Sequence, residues 1–214
     1  VRDLTSRYQY RTPEMFDRLA DCIAEATSQR NGNYMIFFPS YSFLNEVADR
    51  FALRYGQTCT VLRQRSGMQE EEREKFLGRF DEIYDDQTLL GFCVMGGIFS
   101  EGIDLKNDSL IGVMIVGTGI PQVCAERELL KQYFDEKGQN GYDYAYRFPG
   151  MNKVQQAAGR VIRTSEDVGI VVLIDDRFLI PACRRLFPAE WSNAQITDSR
   201  EVGRLAEKFW NEWL

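Results

Sequence analysis

Apolar and polar positions in this chain alternate between two rhythms. From Pro13 to about Arg30, Phe16, Leu19, Ala20, Ile23 and Ala26 recur at three- and four-residue intervals, the spacing that lines one face of a helix. Thr12 stands where a helix N-cap belongs, and Pro13 occupies the first turn, where its missing N–H costs nothing. Asn31-Gly32-Asn33 closes that helix. Tyr34-Met35-Ile36-Phe37-Phe38 follows as an unbroken apolar run of strand length, the pattern of a strand covered on both faces. After a turn at Pro39-Ser40-Tyr41-Ser42, the helical rhythm returns in Phe43, Leu44, Val47, Ala48, Phe51 and Leu53.

The succession of strand, turn and helix recurs. Thr58 to Leu62, Leu89 to Met95, Leu110 to Val116 and Val168 to Ile174 have strand character, and Gln69 to Ile83 is a charged helix carrying Phe76, Leu77 and Phe80. Strands that alternate with helices of this length predict an α/β fold with a mainly parallel sheet and helices on both faces, because parallel neighbours are joined by crossovers. The whole of 1–214 reads as one domain. Its segment at about 117–150 fits the alternation less well, with a helix at Ala125 to Glu136 and a Gly- and Tyr-rich stretch from Lys137 to Tyr146, and it is expected to be an excursion from the sheet. At about 198–214, Val202, Leu205, Ala206, Phe209 and Trp210 predict a C-terminal docking helix.

Composition narrows the chemistry. With 44% hydrophobic residues among 214, the chain can bury a full core. Its apolar runs fall far short of the roughly 20 residues a membrane-spanning helix needs, so no membrane partner and a cytoplasmic setting are expected. The start, Val1-Arg2-Asp3-Leu4, reads neither as a signal nor as a transit peptide, and its lack of Met suggests a piece of a longer chain. Five cysteines, Cys22, Cys59, Cys93, Cys124 and Cys183, lie far apart without paired spacing, so buried reduced thiols are expected and neither a zinc site nor an iron-sulfur cluster. With no histidine, Ser-His and Cys-His nucleophilic chemistry is excluded. A net charge of -6 argues against extended nucleic-acid binding, yet a single strand held along one narrow edge requires only a local electropositive strip.

In an open parallel sheet, ligands gather outside the carboxyl ends of the strands. Three stretches draw attention on that ground. In Gln155-Gln156-Ala157-Ala158-Gly159-Arg160-Val161-Ile162-Arg163, a continuous helix would project Gln156, Arg160 and Arg163 from one face, aiming two forked guanidinium groups suited to phosphate oxygens the same way. On spacing alone the simpler reading is an exposed basic stripe with Val161 and Ile162 in the core. Gly96-Gly97-Ile98-Phe99-Ser100-Glu101-Gly102-Ile103-Asp104-Leu105 follows a strand and offers close backbone approach, a hydroxyl and two carboxylates that suit ribose hydroxyls; blind, it is a glycine-rich turn and lacks the pattern of a phosphate-cradling loop. At Phe38-Pro39-Ser40-Tyr41-Ser42, either serine can cap the next helix, whose free amides also suit an anion, and Tyr41 either packs or stacks on a base.

Taken together, these motifs resemble those of the XPD/DinG family of superfamily 2 helicases. Gln-x-x-Gly-Arg-x-Ile-Arg, followed by Asp167-Val168-Gly169, an apolar strand and Asp175-Asp176-Arg177-Phe178, is similar to motif VI. Ser100-Glu101-Gly102-Ile103-Asp104-Leu105 is similar to motif V, and Phe38-Pro39-Ser40-Tyr41 to motif IV. They stand in the family's order across about residues 10–190. The resemblance implies a RecA-like doubly wound fold and the second motor domain of an ATP-dependent DNA helicase moving 5′ to 3′. It implies Arg160 and Arg163 as catalytic arginine fingers, and Gln156, Gly159, Glu101, Gly102 and Asp104 at the ATP. Ser40, Tyr41, Ser42, Gly97 and Ser100 would meet single-stranded DNA.

The implied cofactors are ATP and Mg²⁺, both held mainly by a first motor domain whose phosphate loop and acidic metal box are absent from this sequence. The implied partners are that N-terminal RecA-like domain of the same protein and single-stranded DNA. Taken alone, the chain is expected to be inactive. The competing reading is a stand-alone α/β module that binds an anion or nucleotide through Arg160 and Arg163 without hydrolysing ATP.

Overall fold

A computed structural model describes residues 1–81, 87–99, 110–162 and 167–213. Among these residues one parallel sheet is formed by β1 (Gly32–Phe38), β2 (Thr60–Arg63), β3 (Thr88–Val94), β4 (Gly112–Val116) and β5 (Ile170–Ile174), in the order β2-β3-β1-β4-β5. Phe38 pairs with Val94, Phe37 with Ile115, and Val116 with Ile174, so the carboxyl ends of β1, β3, β4 and β5 lie nearly level.

Strand alternation divides the interior into two cores. Tyr34, Ile36, Phe38, Leu90, Phe92, Met114 and Val116 face α1 (Pro13–Thr27), α2 (Tyr41–Tyr55) and, through Val202 and Trp210, the C-terminal helix α7 (Val202–Trp213). Met35, Phe37, Leu89, Cys93, Val113 and Ile115 face the opposite way, onto Phe76 of α3 (Glu70–Gly78) and Met151, Val154 and Ala157 of α5 (Phe148–Ala158). Helices therefore cover both faces of the sheet, as the sequence predicts. Every residue from Tyr34 to Phe38 is fully buried, which is why that run shows no polar alternation. Each such side chain contributes about 1.5–3 kcal/mol of burial.

Element ends differ from the sequence reading for local reasons. Helix α1 stops at Thr27 rather than near Arg30, and Gly32, instead of terminating a helix, already pairs with Thr88 at the head of β1. Its φ of 144° and the Ile111 methyl, 2.6 Å from where a Cβ would sit, both require glycine there. Strand β2 begins two residues late because Thr58 donates to the carbonyl of Tyr55 and prolongs the turn after α2. Helix α3 ends at Gly78, and Ile83 lies outside the described residues.

The stretch after β4 carries α4 (Ala125–Glu136), none of whose residues is buried. It is tied back by Arg127, which donates to the Ala145 carbonyl at 2.9 Å, and by Phe134 stacked 3.9 Å from Tyr144. A π-helical turn, Asp143–Arg147, then runs directly into α5. The short α6 (Pro181–Arg184) follows β5. Helix α7 lies on α1, with Gly203 against Glu25 and the Trp210 ring under the Arg30 guanidinium at 4.5 Å.

Of the five thiols, Cys22, Cys93 and Cys183 are buried, Cys59 is half-buried and Cys124 is exposed, so the expectation of buried thiols fails for the last two. Burial pushes the Cys22 thiol up to about 12, keeping it protonated and unreactive. Among the described residues no helix is long and apolar enough to cross a membrane.

Candidate functional site

At the carboxyl ends of β1 and β3, two turns far apart in sequence form one surface. Ser40 caps α2: its backbone is extended, with φ −163° and ψ 162°, and its Oγ accepts from the Phe43 N–H at 3.3 Å while lying 3.1 Å from the Ser42 Oγ. Tyr41 is half-buried and its hydroxyl accepts from Gln64 Nε2 at 3.1 Å. Gln64, just past β2, is only 2% exposed. Its Oε1 accepts from the Val94 N–H at 2.7 Å and its own N–H donates to the Phe92 carbonyl at 2.8 Å. A Cβ on Gly97 would lie 2.9 Å from the Val94 carbonyl oxygen and 3.0 Å from Gln64 Nε2. The amide of Gln64 thus bolts the turn after β1 to the turn after β3. Sequence reasoning missed it, since one glutamine beyond a short strand carries no pattern.

Gly96 extends this surface. Its φ is 72°, and a Cβ there would meet the side chain of Lys153 on α5, 2.9 Å from Nζ, 3.0 Å from Cε and 3.1 Å from Cδ. Lys153 was not among the residues singled out in the sequence either.

Arg160 lies elsewhere on the lobe. Helix α5 starts at the carboxyl end of β4, where Gly150 approaches the Thr118 carbonyl so closely that a Cβ would come within 2.6 Å. A crossover helix runs back along the sheet, so its far end reaches the amino end of the next strand. There Val161 packs on Gly169 and is buried. The stretch from Gln155 to Arg163 therefore precedes a strand instead of following one, which corrects the grouping of its arginines with the carboxyl-end turns.

Nor is that stretch one helix. Helix α5 ends at Ala158; Gly159, at φ −65° and ψ 0°, closes it, and Arg160 and Val161 continue in tight turns onto the carbonyls of Ala157 and Ala158. Glycine is the weakest helix former after proline, and Val161 gains more by entering the core. Gln156 is exposed, Arg160 half-buried and Ile162 48% exposed, so only Val161 of the apolar pair is interior. Ser100, Glu101, Gly102, Asp104 and Arg163 lie outside the described residues, and their expected roles with them.

The carboxyl end of β5 holds a different arrangement. Asp175, 1% exposed, accepts from the N–H and Oγ of Ser6 at 2.9 and 2.8 Å, from the N–H of Arg177 at 3.0 Å, and from Nε and an η nitrogen of Arg177 at 2.7 and 2.8 Å. Burial pushes this carboxyl up, but the paired guanidinium and the Ser6 amide outweigh it and hold it below the ordinary carboxylate value. A cleft of about 380 Å³ runs along the outer edge of β5, between Val171, Leu173, Trp191, Ile196 and Phe209; Gly169, Asp175 and Phe178 also line it, but none of Ser40, Tyr41, Ser42, Gly97, Gln156, Gly159 and Arg160 does.

Among known proteins, the family model for the helicase C-terminal domain matches residues 23–194. An ATP-dependent DNA helicase XPD of Sulfolobus acidocaldarius is 30% identical over 186 residues, covering 82% of this chain and 30% of that protein. A regulator of telomere elongation helicase 1 homolog of Drosophila yakuba is 25% identical over 189 residues, covering 83% of this chain and 19% of the relative. The chain thus spans less than a third of the curated relatives it matches. A solved XPD helicase superposes with a TM-score of 0.70 at 24% identity, over 90% of this chain and 33% of that one, which bears on the fold alone. An apo XPD structure superposes with a TM-score of 0.69 at 26% identity, over 86% of this chain and 36% of that one.

Proposed function

Because the chain belongs to the helicase C-terminal domain family, of the XPD/DinG type, we propose that it is the second RecA-like motor domain of an ATP-dependent DNA helicase translocating 5′ to 3′. The observation that carries this reading is the Gln64 bridge. It holds Tyr41 and Gly97, from two motifs with more than fifty residues between them, as one rigid rim above the strand ends. A rim with a half-buried aromatic ring, serine hydroxyls and a turn that carries no side chain at Gly96 and Gly97 suits a sugar-phosphate strand whose bases are free to stack. Ser40, Tyr41, Ser42 and Gly97, together with Ser100, are its contacts with single-stranded DNA.

ATP with its Mg²⁺ supplies phosphoryl transfer, and its phosphate cradle belongs to the N-terminal RecA-like domain of the intact protein. The separation of Arg160 from the DNA rim agrees with a second ligand that another lobe presents. Arg160 and Arg163 act as arginine fingers on the transferring phosphoryl group, while Gln156, Gly159, Glu101, Gly102 and Asp104 line the nucleotide side of the cleft. Positive charge delivered across a closing cleft stabilises the transition state without any group on this chain gaining or losing a proton.

The test compares the intact protein with this chain alone. Single-stranded DNA stimulates ATP hydrolysis by the intact protein, whereas the chain alone hydrolyses none and binds the strand weakly and salt-sensitively. Sustained hydrolysis by residues 1–214 in isolation contradicts the reading.

A further inference from the structure

We propose that Lys153 is a phosphate-binding residue of the single-strand track, an inference that rests on the function proposed above. Three observations lead to it. First, its side chain from Cδ to Nζ lies over Gly96, at the start of the turn that Gln64 joins to Tyr41. Gly96 lacks the Cβ that would fill the lysine's path, so the ammonium rests against bare backbone beside Gly97.

Second, Lys153 is half-buried, yet among the described residues its ammonium has no carboxylate, hydroxyl or carbonyl partner. The cations on either side of Gln64 are engaged: Arg63 meets Asp49 at 2.5 Å and Arg65 meets Glu72 at 2.6 Å. A partly desolvated cation with no counter-charge is costly unless an anion arrives, and the chain's net charge of -6 makes that cation more valuable to a polyanion.

Third, Lys153 stands five residues, about 7.5 Å of helix at 1.5 Å per residue, before α5 ends at Ala158, and Arg160 lies beyond that end. The two cations therefore address different phosphates. Arg160 emerges beyond the end of α5, whereas Lys153 is held at the turn after β3. A lysine on α5 and an arginine in the turns that close it lie on one continuous segment between nucleotide and nucleic acid.

The test measures binding of the intact protein to a fluorescent oligothymidylate by anisotropy across a salt series, for wild type, Lys153→Gln and Lys153→Arg. Each neutralised phosphate on a single strand contributes about 0.7 to the slope of log affinity against log salt. Lys153→Gln is expected to make that slope shallower by about 0.7 and to weaken binding alike on every oligonucleotide sequence, while Lys153→Arg retains the slope. An unchanged slope in Lys153→Gln overturns the proposal. So does a loss of ATP turnover at saturating DNA with the slope intact, which would assign the lysine to the nucleotide. If wild type itself bound no single strand, the motor reading would fail first, a result distinct from wild-type binding that Lys153→Gln leaves untouched.

Discussion

Two strand ends in the same sheet use polar side chains in opposite ways. Beyond β5, a charged pair is satisfied within the fold: Asp175 is buried, Arg177 is half-buried, and Arg177 and Ser6 satisfy the carboxylate oxygens. Beyond β1 and β3, the joining group is a neutral amide, the backbone is bared by Gly96 and Gly97, and the nearest cation, Lys153, has no partner among the described residues. A buried charge survives in a fold only when paired, so the first arrangement locks the chain's beginning to its last strand. A cation without a partner among the described residues leaves an attraction unspent. What separates a lock from a binding surface here is charge balance, since both occupy the position at which such sheets gather ligands.

Breaking the lock should cost most. Asp175→Asn leaves Arg177 without its counter-charge, and unfolding by denaturant should register a loss of about 3–5 kcal/mol. The pH dependence carries a defined sign. A carboxyl held below its ordinary value in the folded state stabilises the fold above its unfolded pKa of about 3.9, and that contribution is lost as pH falls through the lower folded value. The stability gap between wild type and Asp175→Asn should therefore narrow on acidification below about pH 4. A gap independent of pH would show that the pair is not the source.

On the binding side, Gln64→Ala strands the Tyr41 hydroxyl and the Val94 N–H. It should lower stability by about 1–3 kcal/mol and loosen single-strand binding of the intact protein. If only stability fell, the bridge would hold the fold and not the rim. The smallest effect is expected of Gly96→Ala. Left-handed backbone at φ 72° costs a residue bearing a Cβ about 1–2 kcal/mol, and the flexible end of Lys153 can swing aside. Its signature should be a stability loss near the low end of that range with a salt dependence resembling that of Lys153→Gln.

Much of the fold was legible because one pattern carried it. The run from Tyr34 to Phe38 announced a strand buried on both faces, and Ala125 to Glu136 matches a helix residue for residue. The course of α5 was harder to read. Phe148-Pro149-Gly150 punctuates the sequence like a loop, yet it opens the helix, because Pro149 fits a first turn and Gly150 is required by the Thr118 carbonyl. At the other end, helical spacing alone could not reveal that Gly159 stops the ladder. The candidate site divides the same way. Its glycines, serines and arginines stood out as motifs, whereas Gln64 and Lys153 act only through contacts with turns 23 to 57 residues away, between Gln64 and Tyr41 and between Lys153 and Gly96, which no local periodicity encodes.

The central claim is that a guanidinium on this lobe completes a phosphate site carried by another. Arg160→Ala in the intact protein, assayed for DNA-stimulated ATP hydrolysis at saturating ATP and single strand, tests it most directly. The turnover rate should fall by about 10³-fold while stability and the salt dependence of DNA binding stay at wild-type values. Turnover close to wild type in that variant would contradict it.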